Sequence, residues 1–192
     1  MKVLAVNGSA RRNGNTQIMI EEVAKELRRA GVEVDSVNVI DYDIKPCKAC
    51  EVCYTKPWQC PIKDDAVKLL RKMTRADGLI MASPVYGADV TAQMRALMDR
   101  SVIPYIEQDL KDKVGGAVIV GGGAHGGQEL ALQQMMSFFA FQGMIVANPK
   151  GGLFGAMGTG DKKGDVRKDK EGMKSAKELG VRMVELLRRL NR

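Results

Sequence analysis

The sequence predicts an α/β fold in which one parallel β-sheet is covered by helices on both faces. Short apolar runs alternate along the 192 residues with longer amphipathic segments, and strands joined through helices pair in parallel. The connections after strands are long and rich in unusual residues, whereas those after helices are short. Because ligands of open parallel sheets bind beyond the carboxyl ends of the strands, we expect the functional residues in these long loops.

Hydrophobic periodicity places the elements of the first half. Residues 2–6 form a short apolar run, which predicts a buried strand. Residues 16–30 carry apolar side chains at helical spacing up to Gly31, a typical helix stop. Residues 32–40 alternate as a second strand does. Asp64 or Asp65 then stands as an N-cap before a helix that carries Val67, Leu70 and Met73.

The second half repeats the alternation. Apolar runs predict strands at 78–83, 117–120 and 144–147, and helical spacing predicts helices at 91–102, 128–142 and about 170–190. We find no repeat or linker, so we expect one domain over residues 1–192. The long loops after the strands lie at 8–15, 41–63, 84–90, 121–127 and 149–169.

Composition and charge narrow the class of protein. Hydrophobic residues make up 45% and charged residues 28%, as in globular proteins. No run approaches the 18 apolar residues of a membrane span, and the first apolar run is too short for a signal peptide, so we expect a cytoplasmic protein with reduced thiols. The net charge is +7, and residues 161–192 hold 11 basic against 6 acidic residues. Without interleaved aromatics this indicates a solvated helix face and not a nucleic-acid site.

The first loop, Asn-Gly-Ser-Ala-Arg-Arg-Asn-Gly-Asn-Thr over residues 7–16, is dense in hydrogen-bond donors between a strand and a helix. Backbone N–H groups at a helix N-terminus bind anions, and arginines strengthen such a site. The loop has neither the Gly-Lys-Ser/Thr ending of a nucleotide-hydrolysing loop nor a G-x-G-x-x-G fingerprint. We expect a cradle for a terminal phosphate; the alternative is an ordinary polar turn. The candidates are Ser9, Arg11, Asn13, Asn15 and Thr16.

Two further loops are suited to a flat ligand. One combines a rigid proline, the flat face of a tyrosine and a glycine that permits close approach. The other has five glycines in residues 121–127, an entropic cost that suggests a planar group lying on the backbone. Its histidine, the only one in the chain, is either a ligand contact or proton carrier or simply a polar loop residue. The candidates are Pro84, Val85, Tyr86, Gly87, Gly122, Gly123 and His125.

The four cysteines form the most specific pattern, Cys47-x2-Cys50-x2-Cys53-x6-Cys60, followed by Pro61. Consecutive x2 spacings ending in Cys-Pro resemble the cluster-binding run of bacterial ferredoxins. Zinc more often uses two cysteine pairs set well apart, and four free thiols are the remaining alternative. The spacing therefore favours an iron–sulfur cluster. None of the four begins a C-x5-R loop, which excludes a low-molecular-weight phosphatase.

Three segments together resemble a known family: residues 8–16, the Ser-Pro-Val-Tyr-Gly loop at 83–87, and Met-Arg-Ala-Leu-Met-Asp-Arg at 94–100. They are similar to the flavodoxin-like NAD(P)H-dependent FMN reductases over nearly the whole chain. The compact cysteine run resembles their iron–sulfur flavoprotein branch. The glycine-rich stretch 151–164 departs from the family, so the last loop is expected to shape the site differently.

The resemblance implies a flavodoxin-like three-layer sandwich with a five-stranded parallel sheet. It implies FMN with its phosphate on residues 9–16 and its ring between residues 84–87 and 122–125, and one [4Fe–4S] cluster on the four cysteines. It also implies a homodimer or homotetramer. Composition and charge, as above, predict no nucleic-acid or membrane partner. No catalytic residue is assigned.

Three functions remain open. The first is an oxidoreductase that passes electrons between a small-molecule or protein donor and an acceptor, through FMN and the cluster. The second is an NAD(P)H-dependent flavin or quinone reductase whose cysteines hold zinc or nothing. The third, which is not an enzyme, is an FMN-binding electron carrier or redox sensor.

Overall fold

A twisted parallel sheet organises the chain. The computed structural model describes residues 1–151 and 154–190, and in this part of the chain six strands pair, all of them parallel. Their order is β2-β1-β3-β4, with β5 and β6 both beside β4. This is the flavodoxin-like order, with its switch point between β1 and β3. The strands are β1 (Lys2–Asn7), β2 (Glu33–Asn38), β3 (Gly78–Pro84), β4 (Val114–Gly121), β5 (Ile145–Val146) and β6 (Ala156–Thr159).

Helices cover both faces of the sheet, as the sequence predicts. Helices α1 and α7 pack on one face and α3 to α6 on the other. The two long helices of the first face pack closely at Gly180. A Cβ at this position would stand only 2.6 Å from the Val23 carbonyl oxygen. The helices are α1 (Asn15–Arg29), α2 (Val52–Thr55), α3 (Ala66–Thr74), α4 (Ala92–Arg100), α5 (Val102–Ile106), α6 (Gln128–Phe141) and α7 (Lys170–Leu190).

Two hydrophobic cores lie on the two faces of the sheet. Successive residues of the central strands alternate between them: Leu4 and Val6 point into one core, Val3 and Ala5 into the other. All four are at most 3% exposed. Strands buried on both faces read as continuous apolar runs, which is why the sequence alone locates β1, β3 and β4.

The sheet has the five strand positions that were predicted, and the fifth position is shared by two short strands. β5 pairs with the start of β4 through Gly115 and Val146, and β6 pairs with its end through Val118 and Ala156. β6 was expected to be loop, since Ala, Met and Gly carry little strand propensity. Of the glycine-rich stretch 151–164, Gly152 and Leu153 lie outside the described residues.

Three further boundaries differ from the prediction. The helix expected at 91–102 ends at Arg100, and α5 follows after Ser101; a continuous helix would need an N–H from Pro104, which has none. The strand expected at 32–40 ends at Asn38 and passes into a 3₁₀ turn. The loop 41–63, expected without helix, contains α2.

The remaining elements agree with the prediction within about three residues, and Asp64 Oδ1 accepts from the Ala66 N–H at the start of α3. None of the helices described combines the length and apolarity needed to cross a membrane.

Candidate functional site

A cleft of about 160 Å³ opens at the carboxyl ends of β1, β3 and β4. Eight of the twelve predicted cofactor residues line it, from three loops that are distant in sequence. The other lining residues were not predicted. The predicted residues in the lining are Ser9, Arg11, Asn15, Thr16, Pro84, Val85, Tyr86 and Gly122, and the additional ones are Gly14, Val120, Gly121, Gly160 and Asp161.

The first loop is folded tightly against the start of α1. Asn7 Oδ1 accepts from the Ser9 N–H at 3.0 Å, and Ser9 Oγ accepts from the Arg11 N–H at 3.1 Å. Ser9 and Thr16 are buried, at 5% and 2% exposure, yet both line the cleft. Backbone amides and hydroxyls at a helix N-terminus form a site suited to an anionic group such as the FMN phosphate.

The two arginines of this loop have different surroundings. Arg12 is paired with Asp41, whereas Arg11 lies in the cleft lining and has no carboxylate partner among the described residues. Arg11 is therefore the charge available to an anion in the cleft. Asn13 is exposed, adopts φ +54°, and lies outside the lining.

Asn15 lines the cleft, but its side chain is committed to another loop. Its Nδ2 donates to the carbonyls of Gly160 at 2.8 Å and Lys162 at 2.9 Å, and its Oδ1 accepts from the Gly164 N–H at 2.8 Å. These bonds bring Gly160 and Asp161 to the cleft. A contact across 145 residues leaves no periodic signal in the sequence, so it was not foreseen.

The loop after β3 presents Tyr86 beside the cleft, with 47% of the residue exposed. Tyr86 and Asp89 exchange backbone hydrogen bonds of 3.0 and 3.1 Å around Gly87 and Ala88, whose φ angles are +58° and +62°. Positive φ at both central residues is typical of a type I′ turn. Gly87 thus shapes the turn and does not line the cleft.

Gln128, which was not predicted as a site residue, holds the glycine-rich loop in place. Its Nε2 donates to the Gly123 carbonyl at 2.7 Å and its Oε1 accepts from the Gly126 N–H at 2.8 Å. A Cβ on Gly121 would stand 2.5 Å from the Gln128 side chain, so that glycine makes room for it. Gly123 and His125 are exposed and lie outside the cleft lining.

A second cavity, of about 280 Å³, is lined by all four cysteines. Cys47 and Cys50 are exposed, and Cys53 and Cys60 are half-buried. Burial raises the pKa of the Cys53 thiol, and the other three cysteines add to that rise. In the described residues, no three His, Cys, Asp or Glu side chains converge as a single metal ion requires.

The donor set of this cavity fits a cluster by number and chemistry. A [4Fe–4S] cluster takes four thiolates, one per iron, so its ligands surround a volume and need not converge on one point. The loop that carries them holds three non-glycine residues at positive φ, Ala49, Glu51 and Trp58, a conformation that side chains rarely adopt without support.

Arg100 and Asp64 form a buried ion pair at the wall of the cysteine cavity. Their side chains are 1% and 0% exposed, and the guanidinium binds both carboxylate oxygens, Nη1 to Oδ2 at 2.6 Å and Nη2 to Oδ1 at 3.2 Å. The same Nη2 donates to Cys60 Sγ at 3.2 Å, and Nη1 donates to the Lys45 carbonyl at 2.9 Å. Arg100 therefore joins α4 to both ends of the cysteine loop.

Both charges of this pair are stabilised. Burial alone would raise the pKa of Asp64, but hydrogen bonds from Arg100 and from the Lys45 and Ala66 amides hold it below its usual range. Burial alone would lower the pKa of Arg100, and Asp64 together with Cys60 raises it instead. Both groups are therefore charged at neutral pH.

Comparison with known proteins agrees with this architecture. Residues 1–155 match the model of a family described as NADPH-dependent FMN reductase. The chain is 39% identical over 190 residues to an iron–sulfur flavoprotein of Methanocaldococcus jannaschii, with 98% of each covered.

Solved structures show the same fold. RosB with bound 8-demethyl-8-formylriboflavin-5′-phosphate has a TM-score of 0.79 at 20% identity, covering 100% of this chain and 80% of that one. A flavodoxin, WrbA-like protein of Agrobacterium tumefaciens has a TM-score of 0.66 at 18% identity, covering 98% of each. The fold is therefore flavodoxin-like, as predicted.

Proposed function

The chain belongs to the NADPH-dependent FMN reductase family, in its iron–sulfur flavoprotein branch, and on that premise we propose that it is an oxidoreductase that carries both FMN and one [4Fe–4S] cluster. In this proposal electrons pass between a reduced donor and an acceptor through the two centres. Membership of the family makes the chain a flavin-dependent oxidoreductase. The presence of the cluster and the path of the electrons through it are what we propose.

The main support for this proposal is that the chain has two separate sites with different chemistry. Donors suited to a phosphate line one cleft, while the four thiols of the chain line another cavity, with no residue shared between the two linings. When bound, FMN exchanges either two electrons or one, and an iron–sulfur cluster exchanges single electrons. A chain with both sites can therefore couple a two-electron donor to a one-electron acceptor, or the reverse.

The residues of the flavin cleft have distinct tasks in this proposal. Ser9 and Thr16 donate to the phosphate, Arg11 supplies a charge-assisted bond, and Tyr86 offers a flat face to the ring. The glycines of residues 122–123 let the backbone approach the other face of the ring. Cys47, Cys50, Cys53 and Cys60 supply the four thiolates that one cluster needs.

A second copy of the chain is part of the proposal, as a homodimer or homotetramer. The stacked rings of Tyr105 on α5 and Phe141 on α6, whose centroids are 4.1 Å apart, are exposed apolar groups, as is Leu130 on α6. Arg95 and Asp99 add opposite charges on α4, 3.6 Å apart. Opposite charges on one surface can pair with a copy of themselves across a twofold axis. Sedimentation of the purified protein tests this, and Phe141→Glu should shift it toward monomer.

The direct test of the two centres is their stoichiometry. Protein kept anaerobic from lysis onward should contain one FMN, four iron and four sulfide per chain, with broad absorbance beyond the flavin peaks. Stoichiometric zinc without sulfide would instead select the flavin or quinone reductase without a cluster. Flavin without oxidation of NAD(P)H or reduction of any small acceptor would select the electron carrier or sensor.

Substitution of one cysteine assigns the cluster to its loop. Cys50→Ala should lose most of its iron and all broad absorbance while it keeps FMN, because the flavin cleft has no residue in the cysteine loop. Lys56→Ala, on the same loop but outside the cavity lining, is the matched control and should keep both. Wild-type iron content in Cys50→Ala would refute the assignment.

A further inference from the structure

We infer that Arg100 is a positioning residue that raises the reduction potential of the cluster through its hydrogen bond to Cys60, and that Asp64 moderates this effect. The inference rests on the proposed function, because it concerns the cluster that the four cysteines would hold. It adds that Arg100 and Asp64, which are not ligands of the cluster, help to set its reduction potential.

One guanidinium nitrogen of Arg100, which carries two N–H groups, contacts two acceptors. This atom, Nη2, lies 3.2 Å from Cys60 Sγ and 3.2 Å from Asp64 Oδ1. With side chains 1% and 0% exposed, both charges are screened much less than charges on the surface. A guanidinium is charged at any working pH and presents its donors in a fixed fork, so the contact with sulfur does not depend on a mobile side chain.

The direction of the effect follows from charge. Reduction adds one electron to a cluster and its thiolates, and hydrogen bonds to the sulfurs and local net charge set the potential. A positive charge that donates to Cys60 Sγ stabilises the more negative, reduced state, so it raises the potential. Asp64, bound to the same guanidinium, opposes it. The two residues therefore act in opposite directions on the same quantity.

The order of the reduction potentials of four proteins, the wild type and three variants, tests this inference. Asp64→Asn keeps a hydrogen-bonding side chain but removes the counter-charge, so its potential should lie above the wild type. Arg100→Gln leaves Asp64 charged and should lie lowest. The double variant carries no buried charge and should lie between Arg100→Gln and the wild type, because Arg100 contacts the sulfur directly. We expect each single variant to change the oxidised-to-reduced ratio at a fixed potential by about tenfold, or about 59 mV for one electron.

The measurement is an anaerobic redox titration of the FMN-containing protein, followed by the electron paramagnetic resonance of the reduced cluster. Lys48→Gln is the matched control: Lys48 lines the same cavity but is exposed and makes no hydrogen bond to a cysteine among the described residues. The oxidised-to-reduced ratio of the cluster in Lys48→Gln should change by less than about threefold, since water and salt screen exposed charges.

A purely structural role predicts a different result. Loss of packing would weaken cluster retention in both single variants without moving their potentials to opposite sides of the wild type. Equal potentials in all four proteins, or shifts of the two single variants in one direction, would overturn the inference. If Arg100→Gln loses its cluster, the inference is still tested by the reduction potentials of the other three proteins. The potential of Asp64→Asn should be the highest and that of the double variant the lowest. Wild-type protein without iron and sulfide would overturn the proposed function itself, and the inference with it.

Discussion

The flavin cleft and the cysteine loop are built in opposite ways. The cleft lies where three central strands end, and buried residues such as Ser9 and Thr16 form its floor. The cysteine loop, residues 41–63, follows β2 at the edge of the sheet, and most of its residues are exposed. Its contacts with the body include the Arg100–Asp64 pair and a 3.0 Å hydrogen bond from Trp58 Nε1 to Asp109 Oδ2.

This difference predicts that the two sites depend on their ligands to different extents. The backbone of the cleft is held by the sheet and by side chains such as Asn15 and Gln128, so we expect it to keep its shape without a cofactor. The loop holds positive φ at three non-glycine residues and has few buried apolar side chains to offset that cost. Binding of a metal centre supplies folding energy to such a segment. We expect changes at one site to leave the other largely intact.

The largest expected effect is on stability, from the ion pair that ties the loop to the body. Asp64→Ala leaves Arg100 buried without its partner, which should lower the free energy of unfolding by about 3–5 kcal/mol. Urea denaturation measures this. Asp43→Ala, in an exposed pair with Lys45 on the same loop, is the control and should cost under about 1 kcal/mol. Equal losses in the two variants would show that the buried pair does not anchor the loop.

The same pair predicts a pH dependence. Since the folded protein holds the pKa of Asp64 below its usual range, the pair contributes full stability above the unfolded pKa of about 3.9. That contribution is lost as the pH falls through the lower, folded pKa. Wild-type stability should therefore fall more steeply in acid than that of Asp64→Asn.

The second effect concerns the cleft alone. Arg11→Ala combined with Thr16→Ala removes a charge-assisted bond and a hydroxyl donor, which should weaken FMN binding about 100-fold, or about 2.7 kcal/mol. Fluorescence titration of the flavin-free protein measures it. Arg12→Ala, whose guanidinium already pairs with Asp41, should change affinity less than about threefold. Undiminished binding in the double variant would place the phosphate elsewhere.

The third effect concerns the loop alone. Removal of iron by an anaerobic chelator should speed tryptic cleavage after Lys48 at least about tenfold, because proteolysis follows the population of the open loop. Cleavage after Lys162, beside the flavin cleft, should stay unchanged while FMN is bound. A loop equally resistant with and without iron would mean that its own contacts suffice to order it.

The smallest effect comes from the other anchor of the loop. In the wild type, the Arg71 guanidinium carbon lies 4.5 Å from the centroid of the Trp58 ring. Trp58→Phe keeps an aromatic ring beneath Arg71 but removes the hydrogen bond to Asp109. The free energy of unfolding should fall by about 1 kcal/mol, with no change in FMN affinity. Tyr54→Phe, on an exposed ring of the same loop, should cost less than about 0.5 kcal/mol.

Local sequence determined much of this protein. Apolar runs located the central strands because a strand buried on both faces must be apolar throughout, and helical spacing located α1, α6 and α7. The loops after β1, β3 and β4 were correctly expected to meet, since parallel strands end on the same side of the sheet. Cysteine number and spacing were visible at once because the chemistry of thiolates depends on few neighbours.

Tertiary structure decided what depends on partners far apart in the chain. The β6 strand exists because β4 offers its edge, although Ala156–Thr159 has weak strand propensity. Asn15, predicted as a cofactor contact, binds a loop 145 residues away, and Gln128 orders the glycines. Arg100 shows the same limit most clearly: at the end of an amphipathic helix it resembles a surface residue, and only folding brings it to Asp64 and Cys60. Burial and long-range hydrogen bonds depend on the whole chain, so no local pattern encodes them.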